Sequence, residues 1–154
     1  MSINRQKIVS LTPTIGVDAY TANDVVGGLL TFDVSNAGAG GVVRWVRIVD
    51  DDAEDAQLNL YLFSDTPTSI ADDAAFAPTV ADLKKLVGKV EFAAADYETT
   101  GGNSFVIKRG GLNTADVDFY TTTGDIFGYL VAVGTPTYTA ATDLTITIGV
   151  WLDG

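Results

Sequence analysis

The chain has 154 residues, of which 47% are apolar and 19% charged, and its nine Lys and Arg against twenty Asp and Glu give a net charge of -11. This composition is typical of one globular domain that can bury its own core. Because the sequence has neither Cys nor His, disulfides, thiolate metal sites, thiol nucleophiles and imidazole bases are excluded. The acidic balance and the lack of any Lys and Arg cluster argue against a nucleic-acid partner.

Residues 1–13 are predicted to form an N-terminal arm or an edge strand. Pro13 ends this segment, which mixes apolar and basic side chains. Its candidate contact residues are Ile3, Arg5, Lys7, Ile8, Val9 and Leu11. The segment can add as a strand to a neighbour's sheet edge, or it can be the first strand of its own sheet or a disordered terminus. We expect no signal peptide and no apolar run of about 20 residues that would span a membrane.

Residues 14–154 are predicted to form a single β domain, because short apolar or alternating runs lie between turn residues. With the weaker strand at 7–11, the strands are expected at 28–34, 42–50, 57–64, 89–92, 104–109, 115–120, 126–133 and 143–152. One short helix is expected in a long connection at 79–87, where Thr79 and Asp82 fit a capping box and Gly88 is a stop signal. This pattern predicts an all-β fold, an antiparallel two-sheet sandwich or jelly roll.

Alternation predicts which side chains of three strands face the core. The expected core residues are Leu58, Leu60 and Leu62 in one strand and Leu144, Ile146, Ile148 and Val150 in the last strand. Residues 42–50 carry apolar groups on both faces, with Val42, Arg44, Val46 and Ile48 on one and Val43, Trp45, Arg47 and Val49 on the other. We therefore expect this strand to be buried on one face and contacted by a neighbour or partner subunit on the other, with Trp45 and Arg47 as candidate interface anchors.

The most acidic segment is residues 50–55, Asp-Asp-Asp-Ala-Glu-Asp, between two predicted strands. Closely spaced carboxylates can bind Ca2+, but this segment lacks the glycine and the final glutamate of an EF-hand loop, which favours a solvated loop. No metal or cofactor is predicted. With twenty acids, a suitable carboxylate pair would carry no specific signal, and no nucleophile has a recognisable base, so no enzymatic activity is predicted.

Several ordered motifs carry a resemblance to a known class of proteins. They are Tyr-Thr-Ala-Asn-Asp-Val-Val-Gly-Gly at 20–28, Trp-Val-Arg-Ile-Val-Asp at 45–50, the strand at 58–63 with Asp-Thr-Pro at 65–67, and Asp-Asp-Ala-Ala-Phe at 72–76. Over residues 20–154 the chain resembles virion structural proteins of tailed bacteriophages, of the capsid decoration (cement) type.

The resemblance implies a non-enzymatic protein that binds the outside of a phage capsid and bridges neighbouring subunits of the major capsid protein. It further implies a homo-oligomer, with a trimer favoured, that is located in the virion and assembled in the host cytoplasm. The aromatic residues leave open an alternative, a carbohydrate- or receptor-binding β-sandwich module of a phage tail or fibre.

Overall fold

A computed structural model of the chain describes residues 5–34, 38–110 and 116–153. The strands are β1 (Arg5–Leu11), β2 (Val25–Asp33), β3 (Ala39–Asp50), β4 (Leu58–Phe63), β5 (Leu86–Phe92), β6 (Glu98–Thr100), β7 (Asn103–Arg109), β8 (Val117–Thr121), β9 (Asp125–Ala132) and β10 (Leu144–Leu152). A single helix turn, α1 (Val80–Leu83), precedes β5, and a 3-10 turn (Ala94–Asp96) follows it.

The strands form two antiparallel sheets arranged as a jelly roll. The larger sheet has the order β1-β10-β3-β7-β6, with β8 paired to one end of β3, and the smaller sheet has the order β2-β9-β4-β5. The chain therefore crosses between the sheets at six connections, from β1 to β2, β2 to β3, β3 to β4, β5 to β6, β8 to β9 and β9 to β10. Strands β1-β10-β3-β7 of the larger sheet and the four strands of the smaller sheet, connected in this way, make the double Greek key of a jelly roll, to which β6 and β8 are additions. The predicted all-β class is confirmed.

The core between the sheets is built from alternate residues of the central strands. Leu58, Leu60 and Leu62 are fully buried, and so are Leu144, Ile146, Ile148 and Val150. The core faces predicted for these two strands are therefore confirmed. Burying one such side chain stabilises the fold by about 1.5–3 kcal/mol.

Strand β3 departs from the predicted alternation at Arg44. Trp45 pairs with Gly149 and Val43 pairs with Val150, so Arg44 is an extra residue opposite β10, which is a β-bulge. The bulge turns Val43 toward the core, where it is fully buried together with Val46. The prediction that Val43 shares a face with Trp45 is therefore wrong.

The helix predicted at 79–87 is reduced to one turn. Its capping box forms, because the Asp82 carboxylate accepts a hydrogen bond from the Thr79 backbone N–H (3.0 Å) and the Asp82 backbone N–H donates to Thr79 Oγ1 (3.1 Å). From Leu86 onward the chain is held extended by pairing with β4, so tertiary pairing overrides the helical spacing of the apolar residues. Within the described ranges, no helix is long and apolar enough to cross a membrane.

The outer face of the smaller sheet is covered by the connection at residues 64–79. Ile70 and Phe76 pack on an apolar cluster whose buried members are Val25, Phe63, Phe127, Tyr129 and Val131. The Tyr129 hydroxyl accepts a hydrogen bond from the Ile70 backbone N–H (3.0 Å) and donates one to the Thr68 carbonyl (2.5 Å). The chain itself therefore closes this side of the sandwich.

Candidate functional site

The outer face of the larger sheet exposes large apolar and aromatic side chains. Ile8 is 57% exposed, Ile107 is 40% exposed, Tyr120 is 60% exposed and Trp151 is 41% exposed. They are half of the eight large exposed side chains of this kind among the described residues. Their concentration on one face is typical of an interaction surface. We call it the open face and define it by Ile8, Trp45, Arg47, Ile107, Arg109 and Trp151.

The strand register places these side chains in rows across β1, β10, β3 and β7. One row consists of Ile8, Gly149, Trp45 and Arg109, and the next consists of Ser10, Thr147, Arg47 and Ile107. Directly opposite Cβ atoms in antiparallel strands lie about 4.5–5.5 Å apart, so neighbours within a row are close enough to touch. The open face is therefore one continuous surface.

Trp45 lies across Gly149 at the centre of the open face. A Cβ atom at position 149 would be 2.0 Å from Trp45 Nε1 and 2.1 Å from Trp45 Cε2, so the indole fills the space that a side chain there would need. A glycine inside a strand often marks such a close approach. The glycine therefore leaves the space in which the half-buried indole packs against the sheet.

Arg47 lies beside this indole, with its guanidinium carbon 5.7 Å from the Trp45 ring centroid. Its Nη2 donates a hydrogen bond to Thr147 Oγ1 (3.4 Å), and Thr147 Oγ1 is also hydrogen-bonded to Ser10 Oγ (2.7 Å). Thr147 is fully buried by these neighbours although it lies on the outer side of the sheet. The polar contacts hold Arg47 along the sheet surface.

The open face carries positive charge in an acidic protein. Arg47 and Arg109 on this face and Arg44 beside it are three of the four arginines in the chain. Arg44 forms an ion pair with Asp116 (3.2 Å), and its guanidinium carbon lies 5.6 Å from the Trp151 ring centroid. Within residues 5–34, 38–110 and 116–153, neither Arg47 nor Arg109 has a carboxylate within 4.0 Å. Arginine beside exposed aromatic residues is typical of the centres of protein interfaces.

The structure brings together three of the predicted contact residues, namely Ile8, Trp45 and Arg47, on the open face. The predicted N-terminal segment is an edge strand, β1, which pairs with β10 from residue 5 to residue 11. Its alternate residues Arg5, Lys7, Val9 and Leu11 lie on the other side of the strand, where Val9 and Leu11 pack on the core. Ile3 lies outside the described residues.

Ile107, Arg109 and Trp151 belong to the open face but were absent from the predicted contact set. The exposed rows depend on which strands pair, and residues that are adjacent in a row are separated by 60 or more positions in sequence. Alternation within residues 143–152 was the available signal for Trp151, because it places that side chain on the threonine side of the strand. Residues 104–109 gave no such signal, because both faces of that strand carry apolar side chains.

Three loops meet at one end of the sandwich, at residues 12–24, 51–57 and 133–143. The Ile15 backbone N–H donates to the Ala141 carbonyl (3.1 Å), the Asp51 backbone N–H donates to the Asp143 carbonyl (2.8 Å), and the Thr137 N–H donates to Glu54 Oε1 (3.0 Å). Together the loops contain seven acidic and no basic residues. We call this region the acidic end.

The buried Asp50 carboxylate holds the backbone of the loop at residues 51–57. Asp50 is 1% exposed, and its carboxylate accepts hydrogen bonds from the backbone N–H groups of Asp52 (3.0 Å), Glu54 (3.0 Å) and Asp55 (3.2 Å). Burial raises the pKa of Asp50, and these hydrogen bonds oppose the rise. Asp51 and Glu54 are exposed, as expected of a solvated loop, whereas the burial of Asp50 departs from that expectation. Among the described residues, no group of three or more acidic side chains is placed to hold a metal ion.

A groove of about 390 Å³ lies between the edge of β1 and that of β2. It is lined by Leu11, Thr12, Pro13, Thr14, Gly27, Leu29, Leu30 and Thr31. None of these side chains is an acid or a base, so the groove offers no general acid–base chemistry.

No protein family model matches the sequence, and no curated protein matches it. Among solved structures, one of tomato aspermy virus is 10% identical over 98% of this chain and 78% of that chain, with a TM-score of 0.41. One of nora virus is 12% identical over 99% of this chain and 58% of that chain, with a TM-score of 0.33. One of Desmodium yellow mottle tymovirus is 13% identical over 100% of this chain and 87% of that chain, with a TM-score of 0.30. Similarity at this level assigns no function to this chain.

Proposed function

We propose that this protein is a non-enzymatic virion structural protein that binds the outside of a phage capsid and stabilises it by bridging neighbouring capsid subunits. The observation that carries the proposal is the open face, where Ile8, Ile107 and Trp151 are exposed around the Trp45 indole. Jelly rolls occur in viral capsid and lectin domains, among others, so the fold is compatible with this role without assigning it.

The chemistry of the open face favours adhesion over catalysis. Its centre combines a large aromatic ring with Arg47 and Arg109, the residue types that contribute most to binding energy in protein interfaces. The Trp45 indole is held in place over Gly149, so little side-chain freedom is lost when a partner covers it. A bridging protein also binds more tightly when it makes several such contacts at once, because after the first contact forms, the others form within the same complex at a high effective concentration.

Binding to capsids tests the proposal directly. Purified protein is mixed with capsids of the phage that encodes it, assembled without this protein, and the bound copies and the temperature of capsid rupture are measured. We expect saturable binding and a higher rupture temperature. Absence of binding to these capsids would refute the proposed role.

Point variants locate the contact. Ile107→Ser and Trp151→Ala each remove an exposed apolar side chain from the open face, and each is expected to reduce the number of bound copies. Val80→Ser is the matched control, because Val80 is 71% exposed on α1, away from the larger sheet. Equal binding by all three variants and the unaltered protein would show that the open face is not the contact surface.

The N-terminal segment enters the proposal as a second contact. Deleting all of β1 would remove its pairing with β10 and uncover the core at Val9 and Leu11, so such a deletion would confuse binding with folding. Deleting residues 1–4 leaves β1 intact. If this segment reaches a neighbouring subunit, the deletion lowers the number of bound copies without changing the melting temperature of the free protein.

The alternative is a carbohydrate- or receptor-binding module of a phage tail or fibre. The exposed rings of Trp151 (41%) and Tyr120 (60%) favour it, since aromatic faces can stack on sugars. Binding to a glycan array that is lost in Trp151→Ala, together with no binding to capsids, would select this alternative.

A further inference from the structure

We infer that the open face binds the acidic end of a second copy of this chain, in a head-to-tail contact that repeats around an oligomer. The inference rests on the proposed function and assigns the open face to the neighbouring copy once an oligomer forms, so that Ile107→Ser and Trp151→Ala would lower capsid binding by weakening the oligomer. The N-terminal segment, which the head-to-tail contact leaves free, then makes the contact with the capsid.

Charge complementarity supports this partner. Arg47 and Arg109 lie on the open face without a carboxylate within 4.0 Å in the described ranges, although the chain has twenty acidic residues. The acidic end offers exposed carboxylates at Asp51 and Glu54 and carries no basic residue. Arginine and carboxylate can form paired, charge-assisted hydrogen bonds. Every copy of the protein therefore brings both halves of a complementary contact.

The same charges disfavour the simpler symmetric dimer. Two open faces packed against each other would bring the arginines of one copy near those of the other, and like charges facing each other across an interface are unfavourable. Two acidic ends would repel each other for the same reason. A contact between unlike surfaces avoids both penalties.

The placement of the two surfaces allows each copy to use both at once. The open face lies along the broad side of the larger sheet, whereas the acidic end is formed by loops beyond the ends of the strands. Neither surface can reach the other within one molecule. Contacts between unlike surfaces close into a ring or continue as a filament, and a closed ring of three would agree with the trimer expected from the resemblance.

Self-association of the purified full-length chain tests the inference. Sedimentation velocity at low salt is expected to show a species larger than the monomer, which dissociates as salt screens the charges. Arg109→Glu, and separately the double variant Asp51→Lys with Glu54→Lys, should each weaken association at least about tenfold. Lys84→Glu is the matched control, since Lys84 is exposed next to α1, away from the open face, and this substitution should leave the strength of self-association unchanged. Circular dichroism confirms that each variant is folded.

Mixing the two defective proteins distinguishes a head-to-tail contact from a symmetric one. The Arg109→Glu chain keeps its acidic end, and the Asp51→Lys, Glu54→Lys chain keeps its open face. An equimolar mixture should therefore associate through the unaltered open face of one chain and the unaltered acidic end of the other, although each protein alone stays monomeric. Undiminished association of the acidic-end variant alone would overturn the inference.

Capsid binding separates this inference from the proposed function. A chain that is monomeric at every salt concentration, yet binds capsids and loses that binding with Arg109→Glu, overturns the inference while the proposed function stands. A chain that forms the head-to-tail oligomer but does not bind capsids supports the inference and refutes the proposed function.

Discussion

Gly149→Ala is the substitution with the most sharply defined consequence. The added Cβ would lie 2.0 Å from Trp45 Nε1, 2.1 Å from Cε2 and 2.7 Å from Cδ1, whereas real Cβ contacts are essentially never shorter than 3.0 Å. Three ring atoms are involved, so a small rotation of the indole does not relieve the overlap. Either Trp45 swings away from the sheet or β3 and β10 move apart.

The expected cost is that of overpacking, about 2 kcal/mol. For a domain of this size it corresponds to a fall in melting temperature of about 4–8 °C. Thermal unfolding followed by circular dichroism measures this fall. In a Trp151→Phe background Trp45 is the remaining tryptophan, so its fluorescence should shift to longer wavelength as the indole becomes more exposed to water.

A double-mutant cycle isolates the cause. With Trp45 replaced by Ala, the overlap disappears, and Gly149→Ala should cost less than about 0.5 kcal/mol or stabilise the strand, because alanine loses less backbone entropy than glycine. Gly134→Ala is a control for the substitution itself, since no atom lies within 4 Å of the added Cβ there. If Gly149→Ala is equally costly with and without the indole, the close approach is not the reason for this glycine.

Two further predictions concern the connection at residues 64–79. Hydrogen bonds from the backbone N–H groups of Thr68 and Thr79 lower the pKa of Asp82 to about 2, so its contribution to stability is complete above about pH 4 and is lost as the pH falls toward 2. Asp82→Asn should therefore flatten the dependence of unfolding free energy on pH between 4 and 2 in urea titrations, and an unchanged slope would contradict this role. Tyr129→Phe removes the hydroxyl that holds Thr68 and Ile70, at a cost of about 1–2 kcal/mol. Amide hydrogen exchange should become faster at residues 64–79 but not in β10. Exchange rates at 64–79 that do not change would show that the Tyr129 hydroxyl does not hold this connection in place.

The sequence was sufficient to predict which side chains face the core where one face of a strand is apolar and the other polar. The buried leucines of β4 and the buried side of β10 were predicted in this way, because shifting such a strand by one residue would turn its apolar side chains toward the solvent. The same reasoning failed at Arg44, because both faces of β3 carry large apolar groups and alternation cannot show where an extra residue is inserted. The helix at 79–87 was overestimated because pairing of residues 86–92 with β4 is not visible in local spacing.

The open face was predictable only in part, for a related reason. Trp45 and Arg47 drew attention by residue type, and Ile8 by its place in an apolar N-terminal segment. That these three residues meet, and that Ile107 and Arg109 join them, depends on pairing between β1, β10, β3 and β7, which are far apart in sequence. The need for glycine at position 149 likewise arises from a side chain on another strand.

The connection at 64–79 gives the molecule two unlike broad sides. One is sealed by the chain's own Ile70 and Phe76, and the other remains adhesive. Copies that bind a surface through the larger sheet would present the covered side to the solvent, where the apolar cluster beneath Ile70 and Phe76 is not available to a further molecule. A coat made in this way would limit its own thickness to a single layer.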